Sequence, residues 1–228
     1  ARARRRPMKA ARLTAGLAAA ALLGACATTP PPVPDQYTLV AVAPAVADRT
    51  AAPAARGVLR VAPVRAPAWL QGRGICYRLA YHDAAQLARY SGSVWAAPVP
   101  AMLAQAVQDA LAASRRWRAV IGPGDDVPAV STVRVRLLEL CQAFTGPRTS
   151  AAVLAARVTV TDDADGRVLA QRAFHYRQSA STPDAVGGVH AARAVVRTFA
   201  AALARWAAGL SPSGVTHGAA PGRKAPSP

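Results

Sequence analysis

Cys26 is the residue whose surroundings specify chemistry most narrowly: Leu23-Gly24-Ala25-Cys26 closes an apolar run with small residues immediately before a thiol. A thiol nucleophile in that place can reach a diacylglyceryl donor at a membrane surface. Small residues ahead of it let an extended backbone enter a signal-peptidase site that bulk would block. The pattern resembles a lipobox and predicts Cys26 as the acylated first residue of the mature chain. Each buried methylene of such chains is worth about 0.8 kcal/mol, so several acyl chains anchor stably where one is marginal. The other two cysteines, Cys76 and Cys141, fall on predicted strands. In an oxidising compartment they can form a disulfide, and in strands they can equally be buried thiols.

The remaining reactive types carry less. His82-Asp83 is an adjacent pair on what reads as strand, where neighbours point to opposite faces, so it makes a poor acid-base dyad. Asp163-x-Asp165-Gly166 matches only part of a calcium loop, because no glutamate closes it, and it reads as a turn. HExxH, GxSxG, P-loop and CxxC spacings are missing from the sequence. A periplasmic hydrolase would have to be built from His82, His175 and scattered acids with no motif joining them. The expectation is a protein that is not an enzyme, with no cofactor and no metal.

The segments around these residues fix where they act. From Met8, Lys9 and Arg12 form a short basic region and Leu13 to Leu23 an apolar run of about eleven residues, the layout of a secretory leader. A membrane span needs roughly 20 apolar residues, and Thr28-Thr29-Pro30-Pro31-Pro32 ends the run early. Residues 1–25 therefore read as signal peptide, with residues 1–7 an extension upstream of Met8. Ala27 is not the aspartate associated with inner-membrane retention, so the periplasmic face of the outer membrane is favoured over the inner membrane. Residues 26–36 hold the lipidated cysteine and a proline-rich tether, which at about 3.1 Å per residue holds the domain roughly 25 Å from the lipid. Residues 37–210 form one α+β domain, and 211–228, rich in Ser, Gly, Pro and Ala without periodicity, a disordered tail.

The net charge of +17 on 228 residues includes six cations in the leader and no acid there, so the mature chain carries +11. Lysine occurs only at positions 9 and 224; arginine carries the rest, a composition that matches GC-rich coding. A nucleic-acid surface needs a basic stripe with interleaved aromatics, and these arginines are spread along the chain of an exported protein, so no nucleic acid is expected. Anionic lipid headgroups are the better target.

Tyr37–Val42, Val58–Val64 and Ile75–Tyr81 read as strands, the second ending near a sheet border because of Pro63 and Pro67. Val99, Met102, Leu103, Ala106, Val107, Ala110 and Leu111 recur at helical spacing, with Arg115 and Arg116 near the end. Strands follow at Trp117–Ile121 and Val133–Phe144. Ala152–Thr161 and Arg167–Ser179 make a hairpin with Gly166 at positive φ. Thr182 caps a last helix, with Pro183 in its first position and Asp184 in its first turn. Along that helix Val189, Ala192, Val196, Phe199, Leu203, Trp206 and Leu210 form a stripe suited to packing on a sheet. The sum is a mainly antiparallel sheet of about six strands with two helices on one face.

Val58-Leu-Arg-Val-Ala-Pro-Val, Trp69-Leu70-Gln71-Gly72, Ile75-Cys-Tyr-Arg78, Leu87-Ala-Arg-Tyr90 and Trp95-Ala-Ala-Pro98, leading into the helix from Met102, resemble in succession the ABC-type transport auxiliary lipoproteins, the PqiC (YmbA) family. The resemblance covers about residues 37–208. The pair Cys76 and Cys141 is not assigned to the family pattern. What the resemblance implies is a structural role: an auxiliary subunit beside an MCE-type lipid transport system, docking an MCE-domain periplasmic protein at the outer membrane, supporting membrane integrity and capable of assembling as a homo-oligomeric ring. Tyr77, Arg78, Tyr90, Trp95, Phe199 and Trp206 are the candidates for a partner or packing face. The competing expectation is an outer-membrane assembly lipoprotein of the lipopolysaccharide-assembly or secretin-pilot type.

Overall fold

The structure, a computed structural model, describes residues 33–40 and 56–210. The expectations for Cys26, the leader, most of the tether and the tail at 211–228 lie outside the described residues. The chain divides into two units, 1–33 and 34–228, and of the first only Val33 is described.

The second unit is organised around one long hairpin. β6 (Ser131–Gly146) and β7 (Thr149–Asp162) run antiparallel through a two-residue turn at Pro147 and Arg148, and β8 (Val168–Ser179) continues the meander. At about 3.3 Å per residue β6 is roughly 50 Å long, enough for two groups of strands to share its other edge. Its first part pairs in parallel with β2 (Arg56–Val61), which in turn pairs with β5 (Trp117–Ile121). Its last part pairs in parallel with β3 (Gly74–Leu79). Outside β3 lie β4 (Ala88–Trp95), antiparallel to it, and the three-residue β1 (Asp35–Tyr37), parallel to β4. Between the two groups Arg65 bridges to Arg136.

The architecture is α+β, as expected, but the sheet has eight strands rather than about six and is mixed. Antiparallel pairing dominates by length, through β6–β7 and β7–β8, while four strand pairs are parallel. The strand Ala88–Trp95 went unread because Ser91, Gly92 and Ser93 interrupt any alternation. Two other boundaries move. The first strand stops at Tyr37, and Thr38 Oγ1 accepts from Val40 N in a local turn. β2 ends at Val61 inside the sheet, not at a border: Pro63 lies past its last pair with β5, Arg60↔Ile121, where no strand awaits the missing N–H.

The two helices cover one face. α1 (Val99–Ala113) and α2 (Ala185–Gly209) pack side by side, α1 over β5 and β2, α2 over β7, β8 and β6. Leu103, Val107 and Leu111 from α1 and Val189, Val196, Phe199 and Leu203 from α2 meet Leu59, Val61, Val133, Val135, Leu137, Leu154 and Val158 from the sheet. Burying one such side chain contributes about 1.5–3 kcal/mol, so this seam is the domain's principal stabilisation. α1 ends at Ser114, and Arg115 beyond it takes φ of 53° to turn the chain. The cap of α2 is Asp184 rather than Thr182: its carboxylate accepts from Gly187 N at 2.8 Å, while Thr182 Oγ1 donates to Asp184 and Pro183 stays outside the helix. Gly166 sits at φ +72° in the β7–β8 turn.

Candidate functional site

Cys76 and Cys141 lie side by side on parallel strands β3 and β6, one step before the Tyr77↔Gln142 pair, and they form a disulfide with Cα atoms 4.8 Å apart. The bond lies on the sheet face away from the helices and fastens the β3–β4–β1 group to β6. On the same face Arg78, two residues after Cys76, reaches diagonally across the bond to donate to Glu139, two residues before Cys141, in an ion pair. A bulge in β6 between Leu137 and Glu139 brings Leu138 to the surface, 41 % exposed.

On the helix side of the same seam, Tyr77 and Tyr90 pack as a tilted pair with ring centroids 4.7 Å apart and planes inclined by 38°, and Phe144 meets Tyr77 edge-on at 6.1 Å. Tyr90 Oη donates to Gln142 Oε1 at 2.9 Å, and Gln142 Nε2 donates to Ser150 Oγ at 2.8 Å, satisfying a buried amide. Gly188, in the first turn of α2, presses on that amide so closely that a Cβ would collide with Gln142 Oε1. Burial, then the neighbouring Tyr77 and Asp184, push the Tyr90 phenol up to about 12. At neutral pH it is a fixed hydrogen-bond donor and not a base.

Asp184 shows the opposite shift: the backbone N–H of Gly187, then the Thr182 hydroxyl, hold its carboxyl below the usual carboxylate range.

The other candidate residues divide by burial. Trp95 and Phe199 are core residues. Trp206 is half-buried, and Phe174 joins it to Phe199 through edge-on contacts at 5.8 and 5.4 Å. These three pack the helices onto the sheet, whereas Tyr77, Arg78 and Tyr90 reach the surface. His82 lies in a turn after β3 rather than on a strand, and His175 stands exposed on β8. The β7–β8 turn spends its acids internally: Asp162 and Asp165 accept from Ala164 N and Arg167 N, and Asp163 accepts from Thr132 Oγ1. Among the described residues no group of three or more His, Cys, Asp or Glu could hold a metal ion. No described helix is long and apolar enough to cross a membrane.

The face opposite the helices carries a feature that the sequence order hid. Register puts Arg136 of β6 directly across from Arg157 of β7 and beside Arg65, with Arg134 two residues earlier on the same side. Arg177 of β8, opposite Val153, extends the group. All five are exposed.

The model of the family described as ABC-type transport auxiliary lipoprotein component matches residues 37–204, from the end of β1 to the last turns of α2. The chain belongs to that family. Among solved structures, this ABC-type transport auxiliary lipoprotein is similar to a protein from Xanthomonas campestris, at 22 % identity and TM-score 0.62, covering 70 % of this chain and 87 % of that one. It is also similar to an uncharacterized protein, at 18 % identity and TM-score 0.60, covering 77 % and 99 %. At such identities the likeness concerns the fold. No curated protein matches the chain.

Proposed function

We propose that this chain is the lipid-anchored periplasmic auxiliary subunit of an MCE-type ABC lipid transport system. In this reading acylated Cys26 holds the domain at the outer membrane, and the domain docks the transporter's MCE-domain periplasmic protein there, as one copy of a homo-oligomeric ring. The observation that carries the reading is the family match over residues 37–204, which follows a segment whose sequence reads as a leader ending in a lipobox at Cys26. The Cys76–Cys141 disulfide supports it, because such bonds persist in oxidising compartments and not in cytosol. Ala27 in place of an aspartate favours the outer membrane. The half-exposed Tyr77 and Tyr90, which fill no part of the interior fully, are the residues best suited to meet a protein partner, since aromatic residues dominate such contacts.

Co-purification tests the reading. The tagged, acylated protein, extracted from native membranes, is expected to retain an MCE-domain protein and to lose it in a Tyr77→Ala/Tyr90→Ala variant. A secretin or outer-membrane barrel as the sole stable partner would overturn it.

A further inference from the structure

The open face of the sheet is cationic in a way that composition alone does not produce. A preference for arginine over lysine sets which cation is used, not where cations and acids go. Here they are segregated. Among the described residues two acids stand on the open side near the arginine row: Glu139, which Arg78 takes, and Asp163, which accepts from Thr132 Oγ1 at the end of the row two residues before Arg134. Arg65, Arg134, Arg136, Arg157 and Arg177 make no ion pair among the described residues. Five of the ten described acidic residues, Asp125, Asp126, Asp162, Asp163 and Asp165, gather instead on the two loops where β6 begins, which Asp163 N joins by donating to Val130 O.

Like charges directly across a ladder destabilise a sheet, and Arg136↔Arg157 is such a pair, with Arg65 bridged to Arg136 on its other side. Arg65, Arg136 and Arg157 lie abreast, with Arg134 further along β6 and Arg177 further along β8, so one side of the sheet presents several unpaired forked donors, the charge and geometry that match phosphodiesters. Leu138, exposed in the bulge beside Arg136, adds an apolar side chain of the kind that enters between headgroups. Where such an array lies within reach follows from the chain: the nine residues from Cys26 to Asp35 span at most roughly 30 Å. The domain is thereby kept at high effective concentration over the bilayer.

We propose that this face of the sheet is a docking surface for an anionic phospholipid bilayer, with Arg134, Arg136 and Arg157 at its centre; the proposal rests on acyl anchoring through Cys26. The tether then limits distance and the arginines fix orientation, leaving the helix side and the Tyr77–Tyr90 end turned away from the lipid. Each arginine at an anionic surface is worth about fivefold in partitioning, so the three together bias the docked state by roughly a hundredfold.

The test uses the acylated protein reconstituted in vesicles of phosphatidylcholine alone or with about one third phosphatidylglycerol. A donor dye is placed at Ala173→Cys on the open face or at Ala201→Cys on α2, and the acceptor is a headgroup-labelled lipid. Energy transfer from position 173 is expected to exceed that from 201 only with phosphatidylglycerol. The excess should vanish at about 1 M salt, where the screening length shrinks to roughly 3 Å. It should also vanish in Arg134→Gln/Arg136→Gln/Arg157→Gln, which should melt no lower than wild type because it relieves a like-charge pair. Equal transfer in both lipids, or a lipid dependence untouched by the triple variant, overturns the proposal while leaving the anchor intact. Arginine-dependent self-association or partner retention without lipid dependence also overturns it, in favour of a protein occupant. Release of the protein from both kinds of vesicle overturns the anchoring reading and this proposal with it.

Discussion

Cutting the Cys76–Cys141 bond should have a large and calculable effect. The bond closes a loop of 65 residues that contains β4, α1 and β5. In the chain-entropy treatment, cross-linking a loop of that size removes about 4 kcal/mol of freedom from the unfolded chain. For a domain of this length each kcal/mol shifts the melting temperature by roughly 2–4 °C, so Cys76→Ala/Cys141→Ala should melt about 12 °C below the oxidised wild type. Native packing should change little, since the Tyr77↔Gln142, Arg78↔Ala143 and Leu79↔Phe144 pairs beside the bond survive. The assay is thermal unfolding by circular dichroism of three samples: oxidised wild type, wild type with reductant, and the double variant. The last two should coincide. A fall of less than about 3 °C in both would refute the reasoning, because it would mean that the 65 residues are already confined without the sulfur link.

Gly188→Ala should cost about 1–3 kcal/mol, measured by urea unfolding, because the new methyl group meets a buried amide held on both sides by Tyr90 and Ser150. Asp184→Ala should cost about 1 kcal/mol by losing the cap of α2. As the Asp184 carboxyl is held low in the folded state, its contribution is present above the ordinary carboxylate range and fades as pH falls through the lowered value. A pH series of melting temperatures on wild type and Asp184→Ala should therefore converge in acid. Tyr90 behaves in the opposite sense: a phenol raised to about 12 contributes stability that is complete below its ordinary value and lost as pH climbs towards 12. Tyr90→Phe should flatten that alkaline decline, seen in the same series extended upward. Phe199→Ala, which empties a fully buried site against Phe174, should cost about 3–5 kcal/mol in denaturant unfolding.

Local signals in this sequence were legible wherever they were periodic. Val99 to Leu111 repeats at helical spacing and forms α1; Trp117–Ile121 forms β5 at the residues expected; the Asp-rich turn with Gly166 adopts positive φ. Ala88–Trp95 was not legible, because small residues break its alternation and β3 on one side and β1 on the other hold it in place instead. The parallel pairings of β2 and β3 with β6 depend on contacts between distant segments, which no single strand's pattern encodes. The same limit hid the arginine face. Arg65, Arg136 and Arg157 are scattered in the chain and become neighbours only once the register of β6 with β7 and the bridge at Arg65 are known. Trp95 and Phe199, read as candidates for a face, are drawn into the core by the helices that cover them.

The order in which the strands hang from β6 also sets how a pull on the domain would be borne. Tension arriving at Pro34 meets β1 first, and three residue pairs join it to β4. From β4 the load passes to β3, where a covalent sulfur bridge carries it into the longest strand of the sheet. The weakest link is therefore the outermost one. Under strain the domain would shed a short terminal strand and lengthen its leash by a few residues while its hydrophobic interior stayed closed.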